Sequence, residues 1–373
     1  TDNLSDPEIA LPGEYFNTKT YDDGAGAKTG VGFQPDFVWV KSRGSIYDHK
    51  WTDSVRGVTK ALVSNDTAIE TTDSTGLTAF GADGFTVGAD TDYSDTTGTG
   101  MAAWSWKAGG APTATNSAGA GATPTAGSVK IDGSNLGSAL AGSIPALKLS
   151  ANTTAGFSIV NWNGTEAIGT VAHGLSQAPE IIIVKDADSA RNWPVSTENA
   201  TGRDDGYLLL NLNNAEADSS YYWGAPPGAS VFTLGDSANT NDDASMIAYC
   251  FHSVEGYSKV GSYVGNSNTD GPFIYTGFKP AFLMVKLVTN LYGAWVMFDN
   301  KRDPDNPTDR VFYANGNAIS TDVSSYSPYD LLSNGFKSRI PGGNGNEASY
   351  NSNGETYIYL AFAESPFKTS NAR

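Results

Sequence analysis

One short pattern occurs three times in the chain, as PDFVWVK at Pro35 to Lys41, PEIIIVK at Pro179 to Lys185 and PAFLMVK at Pro280 to Lys286, and it makes the chain a tandem repeat. A tryptophan follows each lysine by eight to ten residues (Trp51, Trp193, Trp295), and an arginine comes after it (Arg56, Arg203, Arg302). Upstream of each proline stands an aromatic residue with a glycine close behind it: Tyr21 and Gly24, Trp162 and Gly164, Tyr263 and Gly265. Downstream, MAAWSW at Met101, MIAYCF at Met246 and YIYLAF at Tyr357 each follow a shorter aromatic element, GFTVG at Gly84, VFTLG at Val231 and GFKSR at Gly335. Three copies of one unit of roughly a hundred residues, the size of a small β domain, are expected.

The stretches DFVWV, KALVSN, GFTVG and AAWSW alternate with Gly, Asp and Ser clusters at the spacing of strands in a sandwich or barrel. Charged residues are only 17% of the chain while Gly numbers 42 and aromatic residues reach 11%, which suits short strands joined by tight turns. The expected fold is all-β, three tandem antiparallel β-sandwich units of jelly-roll or immunoglobulin-like type with about six to eight strands each. The three motifs are their equivalent inner strands. The units run over 15–107, 151–256 and 257–368, after an extension over 1–14 and before a tail over 369–373. Between the first two, 108–150 is rich in Ala, Gly, Ser and Thr and reads as a linker whose second part holds one or two weak strands. No amphipathic helix longer than two turns is evident, and Asn214 to Ser219 could make a single turn.

A strand with one face in the core and one in water alternates apolar and polar, yet FVWV, IIIV and FLMV are apolar throughout. Both faces must be covered, either by loops or a neighbouring unit of the same chain, or by another subunit. The second alternative leads to the expectation of a homo-oligomer, a trimer first, since fibres are built around a symmetry axis.

The net charge is −17 with basic residues scattered singly, so no stripe neutralises a phosphate backbone and nucleic acid is not an expected partner. No run of eighteen apolar residues suggests membrane insertion. The start at Thr1, without a methionine or a secretory pattern, reads as a processed or trimmed segment of something longer. The single thiol, Cys250, lies between Tyr249 and Phe251 and reads as core packing; it has no intramolecular partner.

The chain is expected not to be an enzyme, with no catalytic residue and no cofactor. His49, His173 and His252 stand in dissimilar contexts, and HExxH, CxxC, GxSxG and GxxxxGK[ST] patterns are all missing. The loops Gly88 to Gly98, Gly235 to Ser245 and Phe298 to Asp309 offer oxygen ligands of the kind Ca²⁺ takes, but none has the EF-hand pattern, and solvated turns are the first reading. Asp53 with Arg56 and Asp299 with Arg302 share a spacing that suits an ion pair or a turn-fixing hydrogen bond; the second unit lacks the aspartate. Trp51, Trp193 and Trp295 can stack on sugar faces or on core methyls, and their recurrence at equivalent places favours core or strand pairing. Trp223, unrepeated and flanked by Tyr221 and Tyr222, is the glycan-contact candidate, with a core loop as the other reading.

The runs TGVGFQPDFVWVK, LTAFGADGFTVG, IAYCFHSVEGYSKVGSY, DGPFIYTGFKPAFLMVK and TYIYLAFAESPF resemble a tandem β-rich domain of virion proteins from tailed phages of marine bacteria and cyanobacteria, over about Asp2 to Phe367. The resemblance implies a tail fibre or tail spike in which this region follows a lectin-like domain, with DNLSDPEIALPGEYFNT at the junction. It also implies a location on the virion surface, with other virion proteins and a host surface glycan as partners. It carries over no catalytic motif. Expected alternatives to a receptor-binding role are a capsid decoration or head-fibre protein and, less favoured, a capsule depolymerase.

Overall fold

The computed structural model describes residues 6–370 apart from 23, 96–97, 199–204, 292, 327 and 343–347. Apolar runs between Gly- and Asp-rich turns form nine strands in the first unit: β1 Phe16–Tyr21, β2 Gly26–Thr29, β3 Phe37–Ser42, β4 Lys50–Asp53, β5 Lys60–Val63, β6 Thr71–Thr72, β7 Leu77–Gly81, β8 Gly84–Val87 and β9 Met101–Trp106. The following stretch supplies β10 Val129–Ile131, β11 Ser134–Asn135 and β12 Ala146–Asn152. The second unit holds β13 Phe157–Asn163, β14 Gly169–Ala172, β15 Ile181–Asp186, β16 Pro194–Thr197, β17 Gly206–Leu209, β18 Ala217–Asp218, β19 Val231–Leu234 and β20 Ser245–Phe251. The third holds β21 Ser258–Val264, β22 Phe273–Tyr275, β23 Phe278–Leu287, β24 Trp295–Asp299, β25 Arg310–Tyr313, β26 Thr321–Asp322, β27 Tyr329–Leu332, β28 Gly335–Ser338 and β29 Thr356–Pro366.

The large sheet of the first unit has the order β1-β9-β3-β4-β5-β6, and the third unit repeats it as β21-β29-β23-β24-β25-β26. The second has β13-β20-β15-β16-β17-β18, extended at its first edge by β12, β10 and β11. A smaller sheet accompanies each, β2-β8-β7, β14-β19 and β22-β28-β27. The fold is all-β, and the three apolar motifs occupy one position in it, between the closing strand and the hairpin partner that follows. The stretch 108–150 is less of a linker than its composition suggests, because β12 pairs with β13 and Gly142 bridges Val171 in the smaller sheet. Asn214 to Ser219 is not a helical turn but contains β18; among the described residues the single-turn α-helices are α1 Ala238–Asn241 and α2 Ala348–Asn351, ahead of the closing strands.

The all-apolar strands are explained by what covers each face. Val38 and Val40 join a core with Phe85 and Val87 of the small sheet, whereas Phe37 and Trp39 face the other way. Ile182 and Val184, and Leu283 and Val285, likewise pack inside their own units. Phe37, Trp39, Ile181, Ile183, Phe282 and Met284 meet in one shared core among the three large sheets. The second face is therefore covered by the other units of the same chain. The sequence basis for a homotrimer falls away, since the chain assembles three sheets around a centre by itself.

Register shows how regular that assembly is. Phe37, Ile181 and Phe282 pair with Trp106, Phe251 and Phe362 of the closing strands. These three closing-strand rings touch one another, with centroids 6.3 Å apart for Trp106 and Phe251, 5.6 Å for Trp106 and Phe362 and 5.9 Å for Phe251 and Phe362. Equivalent residues in mutual contact mark a pseudo-threefold axis. Around it the backbone closes a ring: the N–H of Glu70 donates to the carbonyl of Ala187 at 2.7 Å, that of Glu216 to Val288 at 2.8 Å and that of Ser320 to Arg43 at 2.9 Å. Unit one binds two, two binds three, and three binds one.

Candidate functional site

The residues that recur in all three units hold the hairpins of the ring and its seams. Each motif lysine is buried and donates its ammonium to carbonyls of its own hairpin: Lys41 to Ser42 and Ser45 at 2.9 and 3.0 Å, Lys185 to Asp186 and Ser189 at 2.6 and 3.1 Å, Lys286 to Leu287 and Gly293 at 2.7 Å each. Lys286 also reaches the carbonyl of Asn214 in unit two at 2.8 Å. Burial pushes Lys41 and Lys185 down to about 8 and Lys286 down to about 7.

Trp193 and Trp295 are buried at the seams, where the indole N–H of Trp193 donates to Val63 and Asp66 of unit one at 3.0 and 2.9 Å and that of Trp295 to Leu209 of unit two at 2.9 Å. The counterpart in unit one is His49 and not Trp51. Val40 pairs with Lys50, so the next rung sets Lys41 against His49, as Lys286 is set against Trp295. His49 lies edge-on to Phe312 of unit three and accepts from the Trp39 indole at 2.8 Å. Burial drives its imidazole well below the ordinary range, against the pull of the Tyr313 and Gly316 backbone.

Asp53 and Asp299 hold Arg56 and Arg302 at 2.6 and 2.5 Å, and each carboxylate also accepts from the backbone of its turn, so the ion pair and the turn-fixing bond are both present. Arg203 lies outside the described residues. Each aspartate accepts one further bond from a neighbouring closing strand, Asp53 from the Tyr249 hydroxyl at 2.8 Å and Asp299 from the Trp104 indole at 3.2 Å. At the third seam register puts Thr197 and Leu360 in these places, so neither the carboxylate nor the closing-strand donor recurs there.

The proposed glycan contacts are not a platform. Trp223 is 2% exposed and packs in the core of unit two, where the small sheet has, among the described residues, no counterpart of the third strand that β7 and β27 supply in the other units. Tyr222 lies flat on Tyr207, centroids 3.9 Å apart, and takes a bond from the Asn239 amide. Tyr221 alone stands out, 65% exposed. Among the described residues no cluster of three or more His, Cys, Asp or Glu side chains is placed to hold a metal ion. Three carboxylates of the Asp-rich loops have internal partners: Asp95 with Ser42, Asp242 with Arg191, and Asp303 with the backbone of Asp309 and Arg310. Cys250 is buried, its thiol pushed up to about 12.

Clefts open where a closing strand leaves its unit. Asp36, just before β3, accepts from the N–H groups of Ala108 and Gly110 at 2.8 and 3.2 Å and from the Ser54 hydroxyl at 2.7 Å. Burial raises its carboxyl pKa against those bonds. Beside it lies a cavity of about 350 Å³ lined by Tyr15, Gln34, Lys107, Asp132 and Asn152. Glu180, just before β15, does the same for the next exit, accepting from the Ser253 N–H at 2.5 Å and from its hydroxyl. The cavity there, about 330 Å³, lies between units two and three and is lined by Glu8, Gln177, Ser253, Glu255, Lys259 and Tyr275, among others. His252, buried and with its imidazole pKa lowered by burial, lies 2.7 Å from the Gln177 amide nitrogen. These carboxylates escaped the sequence reading because they are single residues of different type, Asp and Glu. The only signal was their place directly before an apolar run.

Fold and site define an all-β chain whose three large sheets share one strand order and meet on a pseudo-threefold axis, with clefts at the seams. The chain belongs to the family described as a domain of unknown function (DUF7483), whose model matches residues 11–130 and 130–366. No curated protein and no solved structure matches it.

Proposed function

We propose that this is a non-catalytic attachment protein of a phage particle, of the tail-fibre kind, whose rigid ring presents loops and seam clefts to glycans of the host envelope. One observation carries the binding part: the recurring lysines, Trp193, Trp295 and the Asp–Arg pairs are spent on the ring, while exposed aromatic side chains such as Tyr221, Phe273 and Tyr275 are 65%, 46% and 57% exposed. The particle location rests on the resemblance of the sequence to phage virion proteins. The test is retention of the fluorescently labelled chain on host envelope polysaccharide. The expected result is saturable binding without release of reducing sugar; no retention, or steady release of reducing ends, overturns the reading.

A second reading, a head decoration protein, is favoured by the pseudo-threefold ring, since a chain with its own approximate threefold axis fits a threefold position of a shell. Immunogold labelling of intact particles separates the two, with label on tails expected and label on heads favouring decoration.

A further inference from the structure

The pseudo-symmetry identifies what is not needed for the fold. Along β22 the residues alternate exposed, buried, exposed, so Phe273 and Tyr275 project from the outer face while Ile274 enters the core. Register with β8, β19 and β28, matched at Phe85, Phe232 and Phe336, aligns them with Ala27 and Thr29 in unit one and with Thr170 and Ala172 in unit two. Small residues suffice at both equivalent places. Two large rings half exposed on an edge strand leave apolar surface in water, 46% of Phe273 and 57% of Tyr275, and they stand about 7 Å apart at the strand rise. Tyr275 also lines the cavity between units two and three, whose volume of about 330 Å³ lies in the range of small-ligand pockets.

We infer that this seam is a saccharide-binding site, with the ring of Tyr275 stacking on the face of a neutral pyranose and Glu255, Gln177 and Lys259 receiving its hydroxyls. The inference rests on the glycan-binding reading and gives it a place and a sugar class. Aromatic faces suit the C–H side of a sugar ring, and carboxylates and amides suit its hydroxyls. Glu8 and Glu255 set two negative charges against one lysine in the cleft, and the chain as a whole carries −17, so uronic and sialic acids are repelled. Phe273 extends the stacking surface for a second residue of an oligosaccharide.

The experiment is saturation-transfer NMR of the intact chain with methyl glycosides of glucose, mannose and galactose, and with N-acetylglucosamine, at millimolar concentration, on wild type, Tyr275→Ala, Glu255→Gln and Tyr221→Ala. Wild type should transfer to ring protons of at least one sugar, Tyr275→Ala should bind it roughly tenfold more weakly or worse, and Tyr221→Ala should bind as wild type does. Glu255→Gln, which keeps the shape of the cleft, should also weaken binding, so the result does not hang on one variant. Loss in Tyr221→Ala with full binding in Tyr275→Ala overturns this site and leaves the glycan reading standing. No transfer to any of the sugars in wild type overturns both.

Discussion

The hydroxyl of Tyr249 in unit two donates to Oδ2 of Asp53 in unit one at 2.8 Å, across 196 positions of sequence, and fixes one seam of the ring through a fully buried carboxylate. Arg56 holds the other side of that oxygen at 2.6 Å. The Trp104–Asp299 bond repeats the arrangement between units one and three.

Tyr249→Phe should therefore cost about 1.5–3 kcal/mol, the range for a buried hydrogen bond to a charged group. Tyr257 is the control, since its hydroxyl is buried but finds no partner among the described residues, so Tyr257→Phe should be neutral or stabilising. Urea unfolding of the two variants checks this; equal effects would contradict it.

Gly164→Ala should destabilise by more than about 2 kcal/mol, since an added methyl would sit 1.8 Å from the carbonyl oxygen of Asp242 in a backbone contact that cannot yield cheaply. A methyl added at Gly265 would meet the carbonyl oxygen of Ser352 in the same way. Thermal unfolding followed by circular dichroism measures the loss, and an unchanged midpoint would contradict the close approach.

Stability should rise with pH from about 5.5 to 9. His49, His173 and His252 have folded-state pKa values lowered by burial, to about 4 for His173, while the unfolded side chains protonate near 6.5. Below that pH the unfolded state binds more protons, so acidification costs up to about 1.4 kcal/mol per pH unit per histidine. The lowered lysines act in the same sense on the alkaline side, because between about 8 and the ordinary 10.5 the unfolded state again binds more protons. Raised carboxyls, Asp36 and Asp186 among them, oppose the trend as pH falls through their folded pKa values. Urea midpoints in steps of pH measure the slope, and His49→Asn should flatten its acid part. A midpoint that climbs on acidification from pH 7 would contradict the buried neutral histidines.

The repeat, the all-β class and the equivalence of the three motifs were legible because strand periodicity and the Pro, apolar run and Lys pattern are local. The cover on the second face was legible only as a pair of alternatives, since adjacency of β3, β15 and β23 across a centre depends on contacts far apart in sequence. Spacing after the lysine hid the match of His49 to Trp193 and Trp295, because hairpin loops of unequal length shift the count while the ladder keeps register. Trp223 misled for a related reason: it is unrepeated because it fills a core where one unit has, among the described residues, no counterpart of a strand, and a singular residue can be either a filler or a contact. Phe273 and Tyr275 became visible as exceptions only once the register aligned them with Ala27 and Thr29.

The central claim is that the three units form one closed ring with a shared core and do not fold as beads on a string. Native-state hydrogen exchange tests it most directly, by following the amides of β3, β15 and β23 as denaturant is raised within the folded range. The expected result is that all three strands exchange through one global opening, with the same free energy and the same denaturant dependence. A central strand that exchanges through its own opening of lower free energy, while the other two stay protected, would contradict the ring.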